Sequence, residues 1–321
     1  MYLSRPSFSF SIPSIHDGCQ LECRVYLPRH LENVESTPAG PVQAAIFAHP
    51  YASLGGCYDD PVVGFIGGEL QNADYIVGTF NFRGAGGSEG RTSWTAKPEL
   101  SDYTSFYGFM LYYLHELQLA QGILPDGGDR GNIDLILGGY SYGSMIASHV
   151  PNIDVMIDLI QPGTSTSPGT SIDQISREAR KIAAASLPGA AETRIQRPAD
   201  MSALRASISI SYLLVSPLLP PVSSFLTVFS SLTVDVGGRS AQARGVGSAD
   251  QLSGHRTLAL FGDEDTFTSV RKLRRWSAEL GSMPHSRYRG CEIEGAGHFW
   301  REDGVEMEAR QILREWLQYK I

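Results

Sequence analysis

The sequence is poor in several features that would have settled its class at once. Its 321 residues hold four cysteines, Cys19, Cys23, Cys57 and Cys291. That is too few for a disulfide-stapled secreted domain, and they lack the double-pair spacing of a zinc site. Cys19 and Cys23, four apart, would make at most half a metal site, and a reduced intracellular compartment fits them better. Positive charge is also scarce. Lys and Arg number 26 against 34 Asp and Glu, a formal net charge of -8 with no basic run, which argues against non-specific nucleic-acid binding. No apolar run reaches the roughly 18 residues of a membrane span. The nearest, residues 212–229, is broken by Pro217, Pro220 and Pro221. Residues 1–6 carry no continuous apolar stretch, so no signal peptide and a cytoplasmic location are expected. Tyr319-Lys320-Ile321 bears only a faint likeness to a peroxisomal tripeptide.

What is present is a core. Hydrophobic residues make up 42% of the chain, enough for one large domain or one with an insertion. Residues 7–12 alternate strictly and 21–27 offer a second strand, an antiparallel opening. From there strands and helices alternate, the signature of a mostly parallel sheet covered on both faces. Strands are expected at 44–48, 75–82, 133–140, 208–215, 256–261 and 288–294. Helices are expected after Asp59 or Asp60 with Pro61 in the first turn, from Ser101-Asp102 onward, and over 171–186, 269–280 and 305–319. Tyr103, Tyr107 and Tyr113 ride on the second of these at helical spacing and read as core. Residues 153–160 suit a strand, and 161–170 read as a loop. The expected division is a core of 1–150 and 208–321 with 151–207 inserted, a candidate lid.

One stretch organises the rest. Residues 133–148 run from an apolar strand through Gly139-Tyr140-Ser141-Tyr142-Gly143 into a small-residue helix. Strand, tight turn and helix with serine at the apex is the geometry that lifts a hydroxyl clear of its backbone. The glycines two residues to either side let strand and helix approach. The pentapeptide alone is weak, because Gly86-Gly87-Ser88-Glu89-Gly90 repeats it. That copy leads into polar residues rather than a helix and reads as a loop.

A serine hydroxyl needs a base, and the base needs an orienting acid. In parallel sheets ligands bind beyond the carboxyl ends of strands, which reduces eight histidines to His49 and His298. His298, late in the chain and between small residues and an aromatic pair, is the candidate base. Asp263, Glu264 and Asp265 all end the strand before it; Asp265, deepest in the turn, is favoured over the other two. The order Ser141, Asp265, His298 differs from the orders of the chymotrypsin-like and subtilisin-like enzymes.

With that order go His49-Pro50, Gly55-Gly56 and Asn81-Phe82-Arg83-Gly84-Ala85-Gly86. Together these motifs resemble the α/β-hydrolase superfamily, in its branch with a His-Pro loop followed by a double glycine. The resemblance implies an α/β fold of about eight mostly parallel strands flanked by helices; the insertion after the nucleophile helix is a departure from it. It implies an oxyanion hole made of the Tyr142 N–H and an N–H of the His-Pro loop; Pro50 has none, which leaves Tyr51. The Tyr51 phenol is an alternative donor. His49 then braces the loop, and Arg83 anchors its own loop. Residues 151–207 depart from the pattern and leave substrate selection open.

The expected function is that of a serine hydrolase acting on an ester or thioester of a small hydrophobic acyl substrate, without metal or organic cofactor. Within enzymes the alternative is a thioesterase or cyclising acyltransferase that releases a carrier-bound chain. Outside them it is a catalytically silent binding protein, which the intact Ser141, Asp265 and His298 set disfavours. Apolar residues 213–229 and Phe299-Trp300 suit either a pocket wall or core.

Overall fold

The computed structural model describes residues 1–28, 41–120, 133–161, 169–186, 201, 204–219, 234–236, 239–241 and 248–319. Alternation builds the first edge of its sheet. β1 (Phe8–Pro13) pairs antiparallel with β2 (Gln20–Tyr26), whose Leu21, Cys23 and Val25 turn inward. Then come β3 (Val42–Ala48), α1 (Pro61–Asn72), β4 (Ile76–Phe80), α2 (Lys97–Ala120), β5 (Ile133–Tyr140) and the short α3 (Tyr142–Ala147). α4 (Ile153–Ile160), α5 (Ser171–Ser186) and one turn, α6 (Leu204–Ser207), lead into β6 (Ile208–Val215). After the small hairpin of β7 (Val234–Val236) and β8 (Arg239–Ala241), the chain closes with five elements. These are α7 (Ser248–Gly254), β9 (Arg256–Glu264), α8 (Val270–Gly281), β10 (Tyr288–Gly297) and α9 (Val305–Gln318).

The main sheet has eight strands in the order β1-β2-β4-β3-β5-β6-β9-β10. From β4 to β10 every pairing is parallel; β2 meets β4 antiparallel. Strands buried on both faces must be apolar on both, and β3 and β5 are. Ala44, Ile46, Leu135 and Leu137 face a core shared with α2, α3, α4 and α5. Ala45, Phe47 and Ile136 face a second core under α1 and α9. The aromatics of α2 build the first core: Phe106 stacks on Phe109 at 5.6 Å and Phe109 on Tyr113 at 5.9 Å. Each such side chain, fully buried, contributes about 1.5–3 kcal/mol. No helix among the described residues is long and apolar enough to cross a membrane.

Two expectations need correction. Residues 153–160 form a helix, not a strand: the Asn152 side chain caps it by accepting from the Val155 N–H at 3.0 Å. Met156, Ile157 and Ile160 share its buried face, a helical spacing hidden inside a β-branched run. The helix expected from Ser101-Asp102 begins at Lys97. Ser101 therefore lies within it, its hydroxyl donating to the Lys97 carbonyl at 3.2 Å. Of the two roles left open for Trp300, the structure shows core: it packs on Phe65 at 6.3 Å with its indole N–H on Ser216 Oγ at 2.9 Å. The hairpin β7–β8 and helix α7 were not anticipated. Most of the loop expected at 161–170 and most of the apolar run after Pro217 lie outside the described residues.

Within the 151–207 segment, α5 lies along α2 and β1. It buries Ile175, Ala179, Ile182 and Ala183, and it is pinned by Arg180 to Glu116 at 3.0 Å and Ser186 Oγ to the Tyr113 hydroxyl at 2.9 Å.

Candidate active site

The strand register gathers the candidate residues at one edge of the sheet. Ala48 of β3 pairs with Gly139 of β5, Tyr140 with Val215 of β6, and Glu264 of β9 with Gly297 of β10. The residues that follow these strands therefore converge beyond their carboxyl ends.

Ser141 sits at φ +56° and ψ -114°, a conformation that L residues avoid and that persists only where surrounding structure enforces it. The enforcement is steric and visible in its flanking glycines. A Cβ on Gly139 would lie 2.4 Å from the carbonyl carbon of Gly143. One on Gly143 would lie 2.5 Å from the Ala48 carbonyl oxygen and 2.7 Å from that of His49. Strand, helix and His-Pro loop thus touch backbone to backbone around the serine.

Ser141 Oγ lies 2.8 Å from His298 Nε2, and His298 Nδ1 lies 2.7 Å from Asp265 Oδ2. The other Asp265 oxygen accepts from the Phe267 and Thr268 amides at 2.8 and 2.9 Å, which leaves Oδ2 for the imidazole. Burial works against charge on Asp265, but the His298 contact and the two amides outweigh it and hold the carboxyl below its ordinary pKa. Of the three acids ending β9, only Asp265 reaches His298: Asp263 accepts from the Gly295 amide at 2.7 Å, and Glu264 is exposed.

Beside the serine, the Tyr51 and Tyr142 rings pack at 5.1 Å. Among the described residues, neither backbone N–H has a hydrogen-bond acceptor. His49 is fully buried, and burial lowers its pKa to about 4 against a weaker, opposing effect of the Pro50 carbonyl. The neutral ring accepts from the Phe82 N–H at Nε2 (2.9 Å) and meets the Pro50 carbonyl at Nδ1 (2.6 Å), bridging the loops after β3 and β4.

Neither a protein-family model nor a curated protein matches the sequence. Solved structures match it over almost their whole length. An α/β serine hydrolase homologue from Coxiella burnetii shares 19% identity at a TM-score of 0.51, with 97% of this chain and 98% of that one covered. A protein of unknown function from Agrobacterium tumefaciens gives 16% and 0.53, covering 97% and 95%. Est1E from Butyrivibrio proteoclasticus gives 12% and 0.52, covering 97% and 98%. The chain adopts the α/β-hydrolase fold.

Within that fold, Arg83 anchors the loop after β4 and is already engaged by carboxylates of the chain. Its guanidinium grips Asp102 through Nε and Nη2 at 2.9 and 2.7 Å and reaches Asp17 at 3.0 Å. Asn81 donates to Glu22 at 2.9 Å and accepts from the Tyr58 amide at 2.8 Å, tying the loops after β3 and β4 to β2. Ser88, the rival serine, is remote in bonding from any histidine. It donates to the Asn81 carbonyl at 2.8 Å and accepts from the Glu22 amide at 2.9 Å.

Some contributors to the candidate site had no signal of their own. Phe267 lays its ring 4.3 Å from that of His298, and the Tyr140 hydroxyl holds the His298 carbonyl at 2.7 Å. Both lie within stretches singled out for other residues, and only the fold shows their side chains turning to the histidine. Among the described residues, no group of three or more His, Cys, Asp or Glu is placed to hold a metal ion.

Proposed function

We propose that the protein is a serine hydrolase that cleaves an ester or thioester of a small hydrophobic acyl group through an acyl-enzyme on Ser141. The hydrogen-bonded line Ser141–His298–Asp265 carries this reading. Ser141 Oγ attacks the carbonyl while His298 Nε2 takes its proton; Asp265, kept ionised, holds Nδ1–H and steadies the imidazolium that forms. The tetrahedral oxyanion is received by the Tyr51 and Tyr142 amides, which are unspent within the described protein. His298 returns the proton to the leaving alcohol or thiol. Water, activated by the same imidazole, then releases the acyl group. Phe267 and the exposed Phe299, whose rings lie 4.3 and 5.5 Å from His298, give the mouth its apolar character.

The same reading treats residues 151–207 as an insertion in the core of 1–150 and 208–321, with a covering role over the site. Shortening residues 187–200 should then widen the accepted chain lengths.

The test is labelling with a fluorophosphonate, with and without Ser141→Ala, followed by a graded panel of esters and thioesters. Wild-type labelling that Ser141→Ala abolishes, with turnover on the panel, is the expected result. A folded wild-type protein that takes no label would sink the hydrolase reading in favour of a binding protein. Product analysis on a tethered acyl substrate separates hydrolysis from cyclisation.

A further inference from the structure

The peptide unit joining Pro50 to Tyr51 is held from several sides. Its carbonyl lies 2.6 Å from His49 Nδ1. Gly56 presses on it so closely that a Cβ there would lie 2.3 Å from the Pro50 oxygen. In a trans peptide the N–H points opposite to the C=O, so whatever fixes the Pro50 carbonyl also aims the Tyr51 N–H.

The tautomer of His49 follows from its partners. A backbone N–H can only donate, so Nε2, which meets the Phe82 N–H at 2.9 Å, is the acceptor and Nδ1 carries the proton. That proton goes to the Pro50 carbonyl. The contacts then close on themselves. The Phe82 ring packs edge-on to His49 at 5.0 Å and to Tyr142 at 5.8 Å, and the Tyr142 ring packs on Tyr51 at 5.1 Å. Both residues whose amides are the proposed oxyanion donors thus belong to one circuit that returns through His49 to the end of β4.

We propose that His49 is a positioning residue for catalysis: through Nδ1–H on the Pro50 carbonyl it turns the Tyr51 N–H toward the oxyanion and polarises that peptide, making the N–H a stronger donor. The proposal rests on the serine-hydrolase reading and deepens it. A hydrogen bond accepted at a peptide carbonyl strengthens the donor at the other end of the same peptide, and the low-dielectric surroundings of His49 preserve the effect. Burial keeps the imidazole neutral, which the arrangement requires, because a protonated ring would turn Nε2–H against the Phe82 N–H. An oxyanion donor acts on the transition state and not on the bound substrate, so the signature is a loss in kcat.

The experiment compares two substitutions on an ester that the wild type hydrolyses. An Asn amide nitrogen falls near the place of Nδ1 and can still donate to Pro50, whereas a Gln amide falls near Nε2 and can serve only Phe82. His49→Gln should lower kcat by about 10- to 100-fold with KM within about twofold, and slow fluorophosphonate labelling of Ser141 in step. His49→Asn should recover at least about fivefold of that loss. Equal kcat in the two variants, or losses that follow the fall in Tm instead of the side chain's reach, would overturn the proposal. Should either variant fail to fold, nitrogen-15 NMR of the wild-type imidazole decides. A proton on Nδ1 of His49 from pH 5 to 8 supports the assignment, and one on Nε2 refutes it. A wild type that neither labels nor hydrolyses would instead remove the reading beneath. An active wild type with an unaffected His49→Gln removes this inference alone.

Discussion

Two stretches of this chain spell Gly-x-Ser-x-Gly, and the structure uses them in opposite ways. At Ser141 the serine carries the positive φ, +56°, while Gly139 and Gly143 supply room for backbones in contact. At Ser88 the roles reverse: Gly86 and Gly90 take φ +53° and +77°, and the serine spends its hydroxyl on the Asn81 carbonyl and the Glu22 amide. One pattern strains a side chain toward a histidine; the other lets glycines bend a loop that a serine then staples. The letters are shared, and what separates the copies is the strand before and the helix after.

The sharpest way to break the comparison is to exchange what each serine does. Ser141→Gly removes the proposed nucleophile and suits the backbone, since glycine occupies positive φ without penalty. Hydrolysis should fall by about 10⁵-fold or more while stability rises by about 1 kcal/mol, read by ester turnover and thermal melting. A destabilised Ser141→Gly protein would mean that the serine is not strained. Next in size is Asp265→Asn. It should cost about 10³- to 10⁴-fold in kcat, because the amide can no longer hold His298 in the tautomer with Nδ1–H outward.

The glycines answer in the same opposed way. In Gly143→Ala the new methyl meets the Ala48 and His49 carbonyl oxygens, so the backbone must move beside Ser141. Stability should drop by about 1–3 kcal/mol and kcat should fall with it. Gly90→Ala is strained by its φ of +77° and should lose about 1–2 kcal/mol, with turnover of the folded protein unchanged. Turnover losses of equal size in both would erase the distinction between the two copies.

The loop that meets Ser141 also sets a pH dependence through His49. The pKa of His49 falls on folding from the model-peptide value of 6.5 to about 4, because burial disfavours its charge. Between those values the unfolded chain binds the extra proton, so stability rises with pH across this window and declines as pH falls from 6.5 toward 4. The full change is about 3 kcal/mol. Urea denaturation at pH 7 and pH 4.5 measures it. The decline should be smaller by the His49 contribution in His49→Gln, whose amide does not titrate in this range.

How much of this was legible beforehand follows from which interactions are local. The alternation at residues 7–12, the Asp60 cap with Pro61 and the strand running into Ser141 are written in neighbouring residues, and they fold as they read. Residues 153–160 misled because a run of Ile, Val and Leu satisfies a strand and a buried helix alike; the Asn152 cap, three residues before the Val155 amide it holds, was the overlooked sign. At the candidate site, the placement of His298 after β10 and of Asp265 after β9 was legible, because ligand-facing residues follow strands. The Phe267 stack and the Tyr140 hydroxyl on the His298 carbonyl were not, since they depend on side-chain directions across 31 and 158 residues of chain respectively.

The last variant concerns the serine to which the proposal assigns no chemistry. Ser88→Ala leaves the Glu22 amide and the Asn81 carbonyl without the hydroxyl that joins them, in a position that is only 7% exposed. Unmade hydrogen bonds at buried backbone groups cost about 1–3 kcal/mol. Melting temperature should therefore fall while kcat on the folded protein stays at the wild-type value, the mirror image of Ser141→Gly. Loss of turnover in Ser88→Ala at temperatures where the variant is fully folded would mean that the loop after β4 transmits to the serine through Asn81-Phe82 and His49. The two copies of the pentapeptide would then be parts of one device.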